Sequence, residues 1–268
     1  MLRLARRPRY NSAKRENAPM RDCLAKLIEG LDITANPYLR ALREGTMRRA
    51  EFVETQIQFL HAVVFFPRPL MVLASRLPRP EMRLSLLHNV DDEHGHGNLS
   101  ISHEQTFLKL LQQLGASPDE IERRALWPEV RAFNIALSGL CTQEDPFTAL
   151  AAVGIIEDIY SRLSEELGRS ISARNWLPSE QPNHYSANET QDVEHAEGLY
   201  ALLEDPYLTS PRYAYQIQQG FELGAYLLLR LFTDLYRARA RRWTREITGP
   251  HSLADGWFLT TPPSELED

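Results

Sequence analysis

Cysteine is scarce: the 268-residue chain has two, Cys23 and Cys141. That excludes a disulfide framework and any multi-cysteine zinc or iron–sulfur site, and a reducing cytoplasmic setting is the expectation. No glycine-rich loop of the phosphate-cradling or dinucleotide-binding kind occurs. Ser161, Ser164 and Ser186 lack the context of a nucleophile elbow. Uninterrupted apolar runs such as Ala62–Phe66 and Leu227–Leu229 are short, so no membrane span is expected. Nor is there an overall basic excess: the net charge is −6 with 25% charged residues, which gives no reason to expect a nucleic-acid partner. Strand signals, meaning alternating runs of β-branched and polar residues, are almost missing.

What is present is helical periodicity over a chain that is 43% apolar, enough for one sizeable core. The expected organisation is a basic tail over residues 1–20, a single helical domain over 21–245 and a loosely ordered tail over 246–268. Residues Met1 to Arg15 carry Arg3, Arg6, Arg7, Arg9, Lys14 and Arg15 and no acid, which reads as a disordered tail rather than a targeting peptide. Caps and prolines predict helices over Arg21–Leu31, Glu44–Phe66 (stopped by Pro67), Pro80–Gly95, Ser102–Leu114, Pro128–Cys141, Phe147–Gly168, Gln181–Leu203 and Pro211 to about Arg242. A further start falls at Ser117-Pro118. The fold class is all-α, with antiparallel neighbours joined by short connections.

Three stretches can carry chemistry. Asn89-Val90-Asp91-Asp92-Glu93-His94-Gly95-His96-Gly97 runs an apolar helix into acids, histidines and glycines, and His103 follows ten residues after Glu93 on the next helix. A glycine turn between them lets both side chains face one centre. Read alone, the stretch is equally a polar helix end with glycine caps. Asp192 and His195 sit at i and i+3 on one helix face, a spacing that carboxylate-bridged iron proteins use and that solvated surfaces also show. Glu157 follows two turns of small and apolar residues, Ala149 to Ile156. A carboxylate there needs a partner. A metal is one such partner; Arg162 or Arg169 is another.

In order and separation these segments resemble the heme-oxygenase-like diiron oxidases, within the wider group of thiaminase II and pyrroloquinoline-quinone synthase proteins. The matching residues are Asn89 to Gly97, His103 to Phe107 with Leu114-Gly115, Glu157 after Gly154, and Asp192 to Leu199, and the resemblance spans about Pro37 to Tyr236. It implies a bundle of about seven core helices with short flanking ones, often dimeric. It also implies Fe(II), two ions with manganese as a substitute, bound by Glu93, His103, Glu157, Asp192 and His195. The expected activity is a dioxygen-activating oxidase or oxygenase acting on a small amino-acid-, amine- or fatty-acid-like molecule, with an external electron donor as a further partner.

One position departs from the pattern. The family's closing motif carries a histidine four residues before the aspartate, where this chain has Asn188. A neutral amide oxygen is a weaker iron ligand than imidazole. His184 lies one turn further back and is expected to reach the site only through a shifted or bulged helix. The second iron is therefore expected to be labile. The alternative is a metal-poor relative, either a binding protein or a thiaminase-like hydrolase using Cys141. Phe59, Phe65, Phe66, Tyr213, Phe221 and Tyr226 are candidate pocket residues, each with core packing as the commoner reading. Arg212, Arg174 and His184 are candidates to hold a substrate carboxylate.

Overall fold

Prolines start most of the helices. In the computed structural model, which describes residues 19–177 and 184–239 (backbone only for 186–194), Pro occupies the first turn of α2 (Pro37–Arg43), α4 (Pro67–Arg76), α5 (Pro80–Glu93), α7 (Pro118–Arg123), α8 (Pro128–Gln143), α9 (Pro146–Ala173) and α11 (Pro211–Ala238). Its fixed φ suits the first turn, and its missing N–H would have had no intrahelical partner there. The remaining helices are α1 (Pro19–Gly30), α3 (Arg49–Phe65), α6 (His103–Gln113) and α10 (His184–Thr209), and no strand occurs among the described residues.

Side-chain caps close several of the helix N-termini. Ser117 and Glu120 form a reciprocal capping box on α7, Ser102 caps α6, and Asp145 accepts from the Phe147 amide at 2.9 Å on α9. Asn36 caps α2 and also donates to the Leu229 carbonyl at 3.0 Å, tying that short helix to α11.

The bundle is organised around α9, which packs against α10 along one side and α11 along another. Its residues from Thr148 to Glu157 are all buried, so the helix is enclosed on every face over nearly three turns. Close approach of α11 depends on two glycines. A Cβ on Gly224 would lie 2.7 Å from Ile155 Cγ2 and closer still to the Ala152 carbonyl, and one on Gly220 would lie 2.7 Å from Ala151 Cβ.

Two expectations need correction. The helix expected over Glu44–Phe66 begins later, at Arg49, because residues 44–48 form the turn that follows α2, and Pro67, read as a stop, also starts α4. Together α3 and α4 make Arg49–Arg76 long and apolar enough to cross a membrane by length and composition, although no single uninterrupted run is. In this fold, 72% of its most apolar window is buried inside the bundle. The expected basic tail lies almost wholly outside the described residues, and α1 already begins at Pro19 with Met20 in the core. Residues 246–268 also lie outside them.

Candidate metal centre

Helices α3, α5, α6, α8, α9 and α11 and the start of α10 line a cavity of about 40 Å³, room for a few water-sized molecules. Glu93, His103, Glu157 and His184 line it together with Phe59, Ala62, Val63, Phe66, Phe133, Ile156, Tyr160 and Leu228.

Glu93 ends α5 and His103 begins α6, so the link between them decides whether they meet. It turns at Gly95, whose φ of +67° is the left-handed region. A Cβ there would also come within 2.9 Å of the Ser102 amide nitrogen and closer to the Asn98 carbonyl. The tight turn brings Glu93 Oε2 to 2.9 Å from His103 Nδ1, both side chains buried.

Glu157 comes from the enclosed part of α9. Burial pushes its carboxyl above the usual range; His195 pulls it down, the Glu93 charge pushes it up again, and Asn89 and His103 pull it down. Asn89 Nδ2 donates to Glu157 Oε1 at 2.7 Å from one turn before Glu93 on α5. The two arginines that could have answered Glu157 go elsewhere: Arg162 pairs with Asp158 at 2.8 Å, and Arg169 pairs with Glu165 and Glu166. Among the described residues, no lysine or arginine lines the cavity.

His195 is buried on α10, and its Nε2 donates to Asp92 Oδ2 at 2.6 Å. That fixes the ring. Its Nδ1 is buried with no hydrogen-bond partner among the described residues. A histidine held by a carboxylate at one nitrogen, with a bare lone pair at the other, has the form of a metal ligand with its supporting residue.

His184 reaches the cavity wall from the first residue of a regular α10, without the bulge that its distance from Asp192 had suggested. Its Nδ1 meets Thr106 Oγ1 at 2.9 Å and its Nε2 meets the Tyr160 hydroxyl at 3.3 Å. Burial, with the neighbouring His103 charge, holds it well below the ordinary histidine range, so the ring is neutral at pH 7. Asp192 and Asn188 lie one and two turns before His195 on α10, and their side chains lie outside the described residues.

Three residues that matter here carry little signal in the sequence. Asn89 and Asp92 read as a polar helix end, although Asn89 at four residues before Glu93 shares its face. Tyr160, three residues after Glu157, lines the cavity by the same helical spacing. Of the candidate aromatics, Phe59 and Phe66 face the cavity and Phe65 is not among its lining residues. Tyr213 and Tyr226 are exposed, and Phe221 is buried edge-on against Tyr200. Arg174 stacks on Trp176, 4.2 Å from the ring centre, and Arg212 is exposed, so neither serves the cavity. Cys141 is buried beneath the Arg76 contact on α4 rather than in the cavity, and burial pushes its thiol up to about 12.

The arrangement therefore fits a cation. Two buried carboxylates, Glu93 and Glu157, face one cavity with the two imidazoles of His103 and His195 nearby and, among the described residues, no lysine or arginine at its wall. Carboxylate oxygen mixed with imidazole nitrogen suits ferrous iron or manganese.

Known proteins agree on the fold. A TenA homologue from P. horikoshii OT3 superposes with a TM-score of 0.62 at 16% identity, covering 81% of this chain and 98% of its own. A domain of unknown function with a heme oxygenase-like fold from Shewanella denitrificans OS217 gives 0.67 at 15%, covering 82% and 92%. A CADD-like protein of unknown function from Nostoc punctiforme PCC 73102 gives 0.65 at 17%, covering 82% and 96%. No curated protein matches the sequence. The sequence profile of the iron-containing redox enzymes matches residues 53–228, a span that holds Glu93, His103, Glu157, Asp192 and His195. With the all-helical heme oxygenase-like fold, this match makes the chain a member of the iron-containing redox enzyme family.

Proposed function

We propose that the protein is an iron-dependent oxidase or oxygenase that activates dioxygen, for reaction with a small amino-acid-, amine- or fatty-acid-like substrate, at the cavity lined by Glu93, His103 and Glu157. Glu93, His103, Glu157, Asp192 and His195 would hold the iron. The observation that carries the reading is His195: its Nε2 is tied to buried Asp92, its Nδ1 is buried without a hydrogen-bond partner among the described residues, and no described lysine or arginine lines the cavity to answer the Glu157 charge beside it. Iron, when bound, supplies the means to reduce dioxygen.

The protein's own part is positioning and exclusion. Asn89 holds one Glu157 oxygen in place, and Asp92 sets which His195 nitrogen carries the proton. Phe59, Phe66, Phe133, Ile156 and Leu228 keep bulk water from the donors. Tyr160 and His184 are joined through hydrogen-bonding distance at the wall, where a proton can be held or passed. The largely apolar lining, with no arginine or lysine among the described residues, disfavours a bare amino-acid zwitterion at this wall.

A thiaminase-like hydrolase, which the TenA resemblance raises, needs a reactive thiol at the cavity. The buried Cys141, with its raised pKa, is poorly suited to that role. Anaerobic ferrous titration followed by exposure to oxygen tests the proposal. Iron should bind, and absorption should change with oxygen. Absence of both, with candidate amines, amino acids and fatty acids present, would refute it.

A further inference from the structure

A second group of donors lies on the solvent side of α5, outside the cavity. His88, Asp91 and Asp92 occupy i, i+3 and i+4, which places them on one helix face, and one ligand atom from each lies within 4.8 Å of the others. The turn after α5 carries His96 back over the same face, with Nδ1 3.1 Å from Asp91 Oδ2 and Nε2 3.1 Å from Asp92 Oδ1. His88 Nε2 is 3.7 Å from Asp92 Oδ2. Three of the four side chains are at least half exposed, so an ion can enter directly.

The fourth, Asp92, is the informative one. Its side chain is 8% exposed, and Oδ2 is engaged by His195. Oδ1 is buried and makes no hydrogen bond among the described residues, although His96 Nε2 lies at 3.1 Å. His96 Nε2 and Asp92 Oδ1 lie close without the alignment of a hydrogen bond, so neither satisfies the other. Two imidazoles and two carboxylates form a borderline donor set, which takes divalent first-row transition cations in preference to calcium or magnesium.

We propose that His88, Asp91, Asp92 and His96 form a separate surface site for a divalent transition-metal cation. Asp92 joins this site to the buried centre: Oδ1 lies against the exposed His96, and Oδ2 holds His195.

The test is equilibrium dialysis of the full-length chain against Co(II), with absorption read in the visible region. The variants are the double substitution His88→Ala/His96→Ala and, separately, Glu157→Ala; Asp92 is left intact because it supports His195. His88 and His96 are exposed, so the double variant should fold as the parent does, as circular dichroism would confirm. The expected result is that the double variant binds one equivalent fewer than the parent, and that Glu157→Ala still binds the ion which the double variant loses. Two results overturn the proposal. In one, the double variant binds as many equivalents as the parent with unchanged affinity. In the other, Glu157→Ala abolishes all binding, which would make the outer residues part of the buried centre. Loss of the buried ion alone in Glu157→Ala leaves the two sites distinguishable.

Discussion

Replacing Gly224 by alanine should loosen the packing that presents Glu157. The added Cβ would sit 2.7 Å from Ile155 Cγ2 and nearer to the Ala152 carbonyl, while carbon atoms in contact rest at about 3.5–4.0 Å. One neighbour is backbone in the middle of α9, so relief requires the two helices to separate by most of an ångström. Overpacking of this kind costs about 1–3 kcal/mol, and contact with backbone places it at the upper end. The better helix propensity of alanine returns about 0.5–1 kcal/mol. The net expectation is a loss of about 2 kcal/mol, or a fall in Tm of about 4–8 °C. Gly139, on α8, has nothing within 4 Å of the same virtual Cβ, so Gly139→Ala should gain about 0.5–1 kcal/mol by the propensity effect alone. Urea denaturation followed by circular dichroism measures both. Combined Gly220→Ala/Gly224→Ala should cost less than the sum of the single changes, since one separation of α9 from α11 relieves both. If Gly224→Ala proves as stable as Gly139→Ala, the close approach of α11 to α9 is wrong, and with it the enclosed setting of Glu157.

Three further outcomes follow from the site. Gly95→Ala meets both the +67° φ and the Ser102 amide, so it should cost about 2 kcal/mol in denaturation. It should also weaken iron binding measured by anaerobic titration, because it shifts His103 away from Glu93. Asp92→Asn keeps the shape but removes the charge that orients His195, and iron affinity should drop about 10–100-fold with the fold retained by circular dichroism; unchanged affinity would remove Asp92 from any supporting role. With its pKa pushed up to about 12, Cys141 is ionised in about one molecule in ten thousand or fewer near neutral pH. Iodoacetamide should therefore leave it unmodified by mass spectrometry until denaturant is added, and rapid labelling of the folded protein at Cys141 would reopen the hydrolase reading.

The helical fold was largely legible because its start signals are local. Ser117-Pro118, Asp145-Pro146 and Ser210-Pro211 each combine a residue that favours the N-cap position with a proline suited to the first turn, and all three begin helices as expected. Pro67 shows the ambiguity of the same signal, since it ends one helix and begins another in place, with Phe66 keeping helical backbone angles between them. In the site, Glu157 could be singled out because a carboxylate amid small apolar residues has few inexpensive environments. Asn89 and Asp92 could not, because their partners Glu157 and His195 come from α9 and α10, and no local pattern records a contact between residues 68 or 103 positions apart. The same holds for Arg162 and Arg169. They were candidate partners for Glu157 by proximity in sequence, and the turn of the helix sends them to Asp158, Glu165 and Glu166 instead.

The central claim is that the buried carboxylates and imidazoles hold iron. Anaerobic ferrous titration of His88→Ala/His96→Ala, which silences the outer site, measured beside the same background carrying Glu157→Ala or His195→Ala, addresses it most directly. The account predicts that the background binds iron with oxygen-dependent absorption, and that either added substitution removes both the iron and the absorption while the helical circular dichroism persists. Unchanged iron content on removal of Glu157 or His195 would contradict it.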